Sequence, residues 1–114
     1  MRLPQAVRRA ADAALQKKAE NVVALDLRPV SDFTDFFLLV SGQNQRQLVA
    51  MADTVLDALK QEGLRPGHVE GYPRQEWILL DYGAFVVHLF TQRSRTYYGL
   101  DRLWGEAARV EISG

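Results

Sequence analysis

The sequence contains no cysteine, so disulfides, thiolate metal sites and cysteine nucleophiles are excluded, and a reducing compartment suits it. It also has no net charge: fourteen basic side chains balance fourteen acidic ones, leaving no global field to collect polyanions. Charge-driven nucleic-acid binding is thereby disfavoured. No apolar run approaches the roughly 20 residues of a membrane-spanning helix. The only histidines are His68 and His88, too few and too far apart for a histidine metal site. Phosphate-cradling GxxxxGK and GxGxxG loops are missing, as are serine nucleophile elbows.

The 114 residues, 47% hydrophobic and 25% charged, are enough for one folded core and leave little room for a second. The basic start "MRLPQAVRRAADAALQKKAE" could be taken for a transit peptide. However, Leu3, Val7, Ala10 and Ala14 recur at helical spacing, serine is absent, and Asp12 and Glu20 interrupt the positive charge. An amphipathic helix within 1–20, with Pro4 near its start and its end near Lys18, is the expectation. "NVVALDL" at 21–27 and "FFLLVSG" at 36–42 read as strands separated by the Pro29-bearing connection "RPVSDFTD". Asn44 and Gln47 resemble a capping box, followed by the helical stripe Leu48, Met51, Ala52, Val55 and Leu59, which Gly63 and Pro66 end. Arg46 beside that helix start could attract an anion, but capping by Asn44 with a solvated Arg46 explains the loop more simply. Three further strands are expected in "HVEGY", "WILLD" and "AFVVHLFT", then one short helix ending near Gly105 and a tail over 106–114. Residues 1–114 thus read as one α/β (α+β) domain, with a mixed sheet of about five strands and packed helices.

The stretch "WILLDYGAFVVHLF", Trp77 to Phe90, contains one acid and one imidazole among mostly apolar residues. With Tyr82 and Gly83 as a two-residue hairpin loop, Asp81 pairs with Ala84 and Trp77 with His88. Side-chain alternation then puts Trp77, Leu79, Asp81, Val86, His88 and Phe90 on one face. Ile78, Leu80, Phe85, Val87 and Leu89 fall on the other, wholly apolar face, which is expected to be core. In this register Asp81 and His88 lie about 13 Å apart at strand rise, too far for a catalytic dyad. The mixed face must be covered either by this chain's own helices or by another molecule, and a tryptophan with a polar rim is what an interface anchor looks like. "TYYGLDRLW" adds Tyr97, Tyr98, Leu100 and Trp104, which either pack on the sheet or extend the same patch.

Three separated stretches, "ALDLRPVSDFTDFFLLVSGQNQRQLVAMAD", "LRPGHVEGYPRQEWILLDYGAFVVHLF" and "RTYYGLDRLWGEA", together closely resemble the ribosomal silencing factor family, also called the Iojap-related proteins. The resemblance runs from about Ala24 to Trp104 and keeps the family's motif order. It implies a nucleotidyltransferase-like architecture without that class's paired catalytic carboxylates, since no D-x-D follows a Gly-Ser turn. It also implies a non-enzymatic role without a cofactor or metal. The protein would bind the large ribosomal subunit through ribosomal protein uL14 and sterically block the small subunit, repressing translation chiefly under nutrient limitation in a bacterial cytoplasm. The expected contact residues are Trp77, Leu79, Asp81, Val86, His88, Phe90, Tyr97 and Tyr98. Two acids common in the family are replaced, by Ala84 after "DYG" and by Gly99 in "YYGL". A homodimer through the ribbon face and a nucleotide-handling enzyme using carboxylates such as Asp26 or Asp35 are the competing readings.

Overall fold

A computed structural model describes residues 2–113. Met1 and Gly114, the outermost residues of the expected helical start and tail, lie outside the described residues. The elements in chain order are α1 (Gln5–Leu15), β1 (Glu20–Asp26), β2 (Phe36–Gly42), α2 (Gln45–Gln61), β3 (His68–Glu70), β4 (Trp77–Asp81), β5 (Phe85–Thr91), α3 (Gln92–Tyr98), α4 (Leu100–Leu103) and β6 (Ala108–Ser113). The six strands form one sheet in the order β3-β4-β5-β2-β1-β6. β2 and β5 run parallel at its centre and every other pairing is antiparallel, so the sheet is mixed.

The two main helices cover one face. Val7, Ala10, Ala11, Ala13 and Ala14 of α1 are buried, and their small side chains let the helix lie close to the strands and to α2. α2 contributes Leu48, Met51, Val55 and Leu59, facing Ile78, Leu80, Val87 and Leu89 from the ribbon. The α2 start follows its sequence signal: Asn44 Oδ1 accepts from the Gln47 backbone N–H at 2.9 Å, while Gln47 Oε1 accepts from the Gln43 N–H at 2.7 Å. Gln47 also donates to the carbonyls of Lys17 and Lys18, joining the end of α1 to this cap. Arg46 is exposed there.

Two expectations change. Residues 106–114, expected as a tail, include β6, an edge strand whose Ala108, Arg109, Val110 and Glu111 pair with β1. The single short C-terminal helix is two, α3 and α4, divided at Gly99, whose φ of +61° ends α3 in the left-handed conformation glycine tolerates best.

Candidate functional site

The β4–β5 ribbon pairs Trp77 with Phe90, Leu79 with His88 and Asp81 with Val86. The loop is therefore longer than two residues and the register differs by two positions from the sequence expectation. Because side chains alternate with period two, an even shift leaves every residue on its expected face. Ile78, Leu80, Phe85, Val87 and Leu89 all lie in the helix-covered core. The shift does bring Asp81 and His88 closer, to diagonal positions about 7–8 Å apart at Cα. They still serve different partners: Asp81 Oδ1 accepts from the Gly83 N–H at 2.8 Å, closing the turn, and His88 bonds Trp77.

The eight expected contact residues divide into two tiers. Val86, His88 and Phe90 are at most 4% exposed and form the floor. Trp77, Leu79 and Asp81 are half-buried above them, and Tyr97 and Tyr98 are 79% and 49% exposed at the rim. A molecule placed against the folded chain meets the upper tier, while the floor supports it. Trp77 links the tiers. Its ring stacks on Phe90 at 5.1 Å, lies 4.5 Å from Tyr98, and its Nε1–H donates to His88 Nδ1 at 3.0 Å. Tyr97 in turn meets Tyr98 edge-on at 5.0 Å. Burial pushes the His88 pKa down to about 3, so its imidazole is neutral at ordinary pH.

The apolar surface extends further than the eight residues. Phe37 packs edge-on against His88 at 4.4 Å and against Trp104 at 5.8 Å, and Trp104 lies 6.1 Å from Phe33. Phe33 and Leu103 are 64% and 71% exposed. Sequence reasoning placed Trp104 in the aromatic tail but passed over Phe33 and Leu103. Phe33 sits in a connection read only for its turn residues, and Leu103 shows its exposure only once α4 is placed. Val23, Leu25, Leu27, Phe37, Leu39 and Ala107 complete a second core under Trp77, Leu79, Leu100 and Trp104. The mixed face is thus covered in part by this chain and left open along an aromatic ridge.

Polar contacts fix the two sides of that ridge. Glu76, just before β4, pairs with Arg93 and accepts from Thr91 Oγ1 at 2.8 Å. The Arg93 bond, helped by Thr91, holds its carboxyl below the usual range. Ser94 Oγ donates to the Glu76 carbonyl at 2.6 Å, and Thr91 Oγ1 caps α3 by accepting from the Ser94 N–H. Gly71 has φ +79°, and a Cβ there would stand 2.0 Å from the Trp77 carbonyl oxygen, so the chain before β4 reaches the tryptophan only as glycine. Between these supports runs a groove of about 560 Å³, lined by Glu70, Arg74, Trp77, Arg93, Tyr97 and Tyr98 among others. Arg95 is buried beneath α3, where it donates to Asp101 at 2.9 and 3.1 Å, to Ser41 Oγ at 2.9 Å and to the Asn21 carbonyl. Asp101 also accepts from Arg109 of β6 at 2.9 Å. Burial alone would raise the Asp101 pKa, but the two arginine bonds outweigh it and the net shift is downward.

A family model described as "Ribosomal silencing factor during starvation" matches residues 1–114. The chain belongs to the ribosomal silencing factor family. It is 40% identical to the ribosomal silencing factor of Halalkalibacterium halodurans, over 92% of this chain and 90% of that protein. It is 36% identical to that of Bacillus subtilis, over 90% and 87%. A crystal structure of a protein from Chromobacterium violaceum superposes with a TM-score of 0.87 at 28% identity, covering 100% of this chain and 95% of that one.

Both departures from the family pattern fall at turns. Ala84 is exposed in the β4–β5 loop, where its carbonyl accepts from the Asp35 N–H at 3.0 Å, a backbone contact that needs no particular side chain. Gly99 supplies the left-handed residue between α3 and α4. Asp26, a carboxylate considered for enzymatic chemistry, is held by Arg28 through bonds of 2.9 and 2.7 Å, which lower its pKa. Among the described residues no group of three or more His, Asp or Glu side chains is arranged to hold a metal ion.

Proposed function

We propose that this chain docks the aromatic ridge on uL14 of the large ribosomal subunit and thereby keeps the small subunit from joining. Translation is repressed by occlusion, chiefly under nutrient limitation, in a bacterial cytoplasm, and no bond is made or broken. The observation that carries this reading is the half-open sheet face: Trp77, Leu79, Tyr97 and Tyr98 stand accessible over a packed floor, on the side of the sheet away from α1 and α2. Such a surface supplies apolar area with little side-chain entropy left to lose, since the rings already pack on one another. Asp81 and the Glu76–Arg93 pair give the rim its orienting charges. A balanced net charge fits a protein target among many phosphates better than broad RNA recognition.

The names of the relatives agree with a ribosomal role: bacterial ribosomal silencing factors, and in mouse a protein named for mitochondrial assembly of the ribosomal large subunit, 29% identical over 78% of this chain. A nucleotidyltransferase-like enzyme is the weaker reading, because Asp26 is already committed to Arg28. A subunit-joining assay tests the proposal. Light scattering follows association of purified small and large subunits after the large subunit is incubated with excess protein. Association should fall with protein concentration to a saturating plateau. Undiminished association at saturating protein would contradict the mechanism.

A further inference from the structure

We infer that His88, which a partner cannot reach, is a positioning residue that locks the Trp77 indole in its docking orientation; the inference rests on the docking reading above. The geometry defines the chemistry. Nδ1 of His88 accepts the Trp77 Nε1–H at 3.0 Å, so Nδ1 carries no proton, and the one proton of the neutral imidazole sits on Nε2. Turning the imidazole over about its Cβ–Cγ bond would replace Nδ1 with Cδ2–H, which cannot accept, and the indole N–H would lose its partner. Rotation is blocked as well, because Phe37 packs edge-on at 4.4 Å and Phe90 lies near-parallel at 5.9 Å. Burial keeps the ring neutral at every ordinary pH, so the acceptor is always present.

The strand register builds this contact. His88 stands opposite Leu79 and is therefore the diagonal neighbour of Trp77, which stands opposite Phe90. The indole consequently spends its single polar atom on the interior, and the edge it leaves exposed is hydrocarbon. A partner meets an anchor with no hydrogen-bonding demand and one preset orientation, the condition under which association loses least rotamer freedom. His88 Nε2 is buried and has no hydrogen-bond partner among the described residues. An apolar side chain would fill this space without that unpaired N–H, so a purely space-filling role leaves the choice of histidine unexplained.

The test uses the full chain and isolated bacterial large ribosomal subunits. His88→Phe keeps a ring and removes the acceptor, while His88→Asn places Oδ1 close to the position of Nδ1. His88→Leu serves as the acceptor-free variant if the phenyl is not accommodated. Circular dichroism confirms the fold of each, and the Trp77 indole N–H is followed by 1H–15N NMR hydrogen exchange, identified by its loss in Trp77→Phe. In wild type this proton should exchange much more slowly than that of a solvent-exposed indole. The acceptor-free variant should lose that protection and bind large subunits at least about fivefold more weakly, the loss expected for one net hydrogen bond. His88→Asn should recover both protection and affinity. In a Trp77→Phe background, which has no indole N–H, removing the His88 acceptor should leave affinity unchanged. The inference is overturned if the folded acceptor-free variant binds as wild type does, if its effect persists without the Trp77 indole, or if the wild-type indole proton is unprotected. Wild type that fails to bind large subunits would instead sink the docking reading itself.

Discussion

At the scale of single residues, the decisive side chains are the ones sequence could name but not place in depth. Trp77, Leu79, Asp81, Val86, His88 and Phe90 were assignable to one face because alternation is a local property, and it survived a two-position change of register. Which of them a partner could touch was not legible. Val86 and Phe90 share a buried cluster with Phe37, Leu100 and Trp104, and His88 packs against Phe37, residues brought there only by the tertiary fold. The buried imidazole has a measurable consequence. Its folded pKa, pushed down to about 3, lies well below its ordinary value of 6.5, so the unfolded chain binds the extra proton between those limits. Stability from this residue is therefore fully present above pH 6.5 and is lost as pH falls toward 3. Between pH 7 and pH 5 the loss should reach about 2 kcal/mol. Asp26, Glu76 and Asp101, with lowered pKa values, lose their contributions only at still lower pH. Urea unfolding across that range should show the decline in wild type and a markedly flatter profile in His88→Asn; equal slopes would contradict the buried neutral imidazole.

At the scale of elements, legibility followed the range of the interactions. The α2 start could be read because Asn44 and Gln47 are three residues apart and cap one another's surroundings. The α3–α4 unit was legible only as one short helix, because its placement depends on Arg95 bonding Asn21 and Ser41, which lie far away in sequence on other elements. Removing the charge of Arg95 leaves Asp101 less compensated and the donors to β1 and β2 missing. Arg95→Met should cost about 2–3 kcal/mol of stability. Amide exchange should accelerate first across 92–104, with α1 and α2 still protected, since their core does not include α3. Uniform acceleration across the chain would show instead that α3–α4 and the helical layer open as one unit.

At the scale of the whole molecule, the mixed sheet with packed helices was foreseeable, and its sixth strand was not. β6 is an edge strand with most side chains exposed or half-exposed, so "ARVEIS" carries little of the apolar alternation that marks an inner strand. It nevertheless covers β1, pairs along Val23 to Asp26, and anchors Asp101 through Arg109. A chain ending at Gly105 should therefore expose the full edge of β1, whose Val22 to Leu25 are buried in the intact protein. Size-exclusion chromatography should show that truncated chain shifting to aggregates at concentrations where the full chain runs as a discrete species. A truncated chain that elutes as sharply and melts at the same temperature would show that β6 is dispensable.

The central claim, docking through the Trp77 face, is most directly tested by sedimenting purified protein with separated small and large ribosomal subunits, wild type beside Trp77→Ala. Circular dichroism first establishes that the variant keeps its fold. Wild type should travel with the large subunit alone, and the variant should bind it at least about 2 kcal/mol more weakly, the loss expected of a buried aromatic anchor. A folded Trp77→Ala protein that sediments with large subunits as well as wild type would contradict the account.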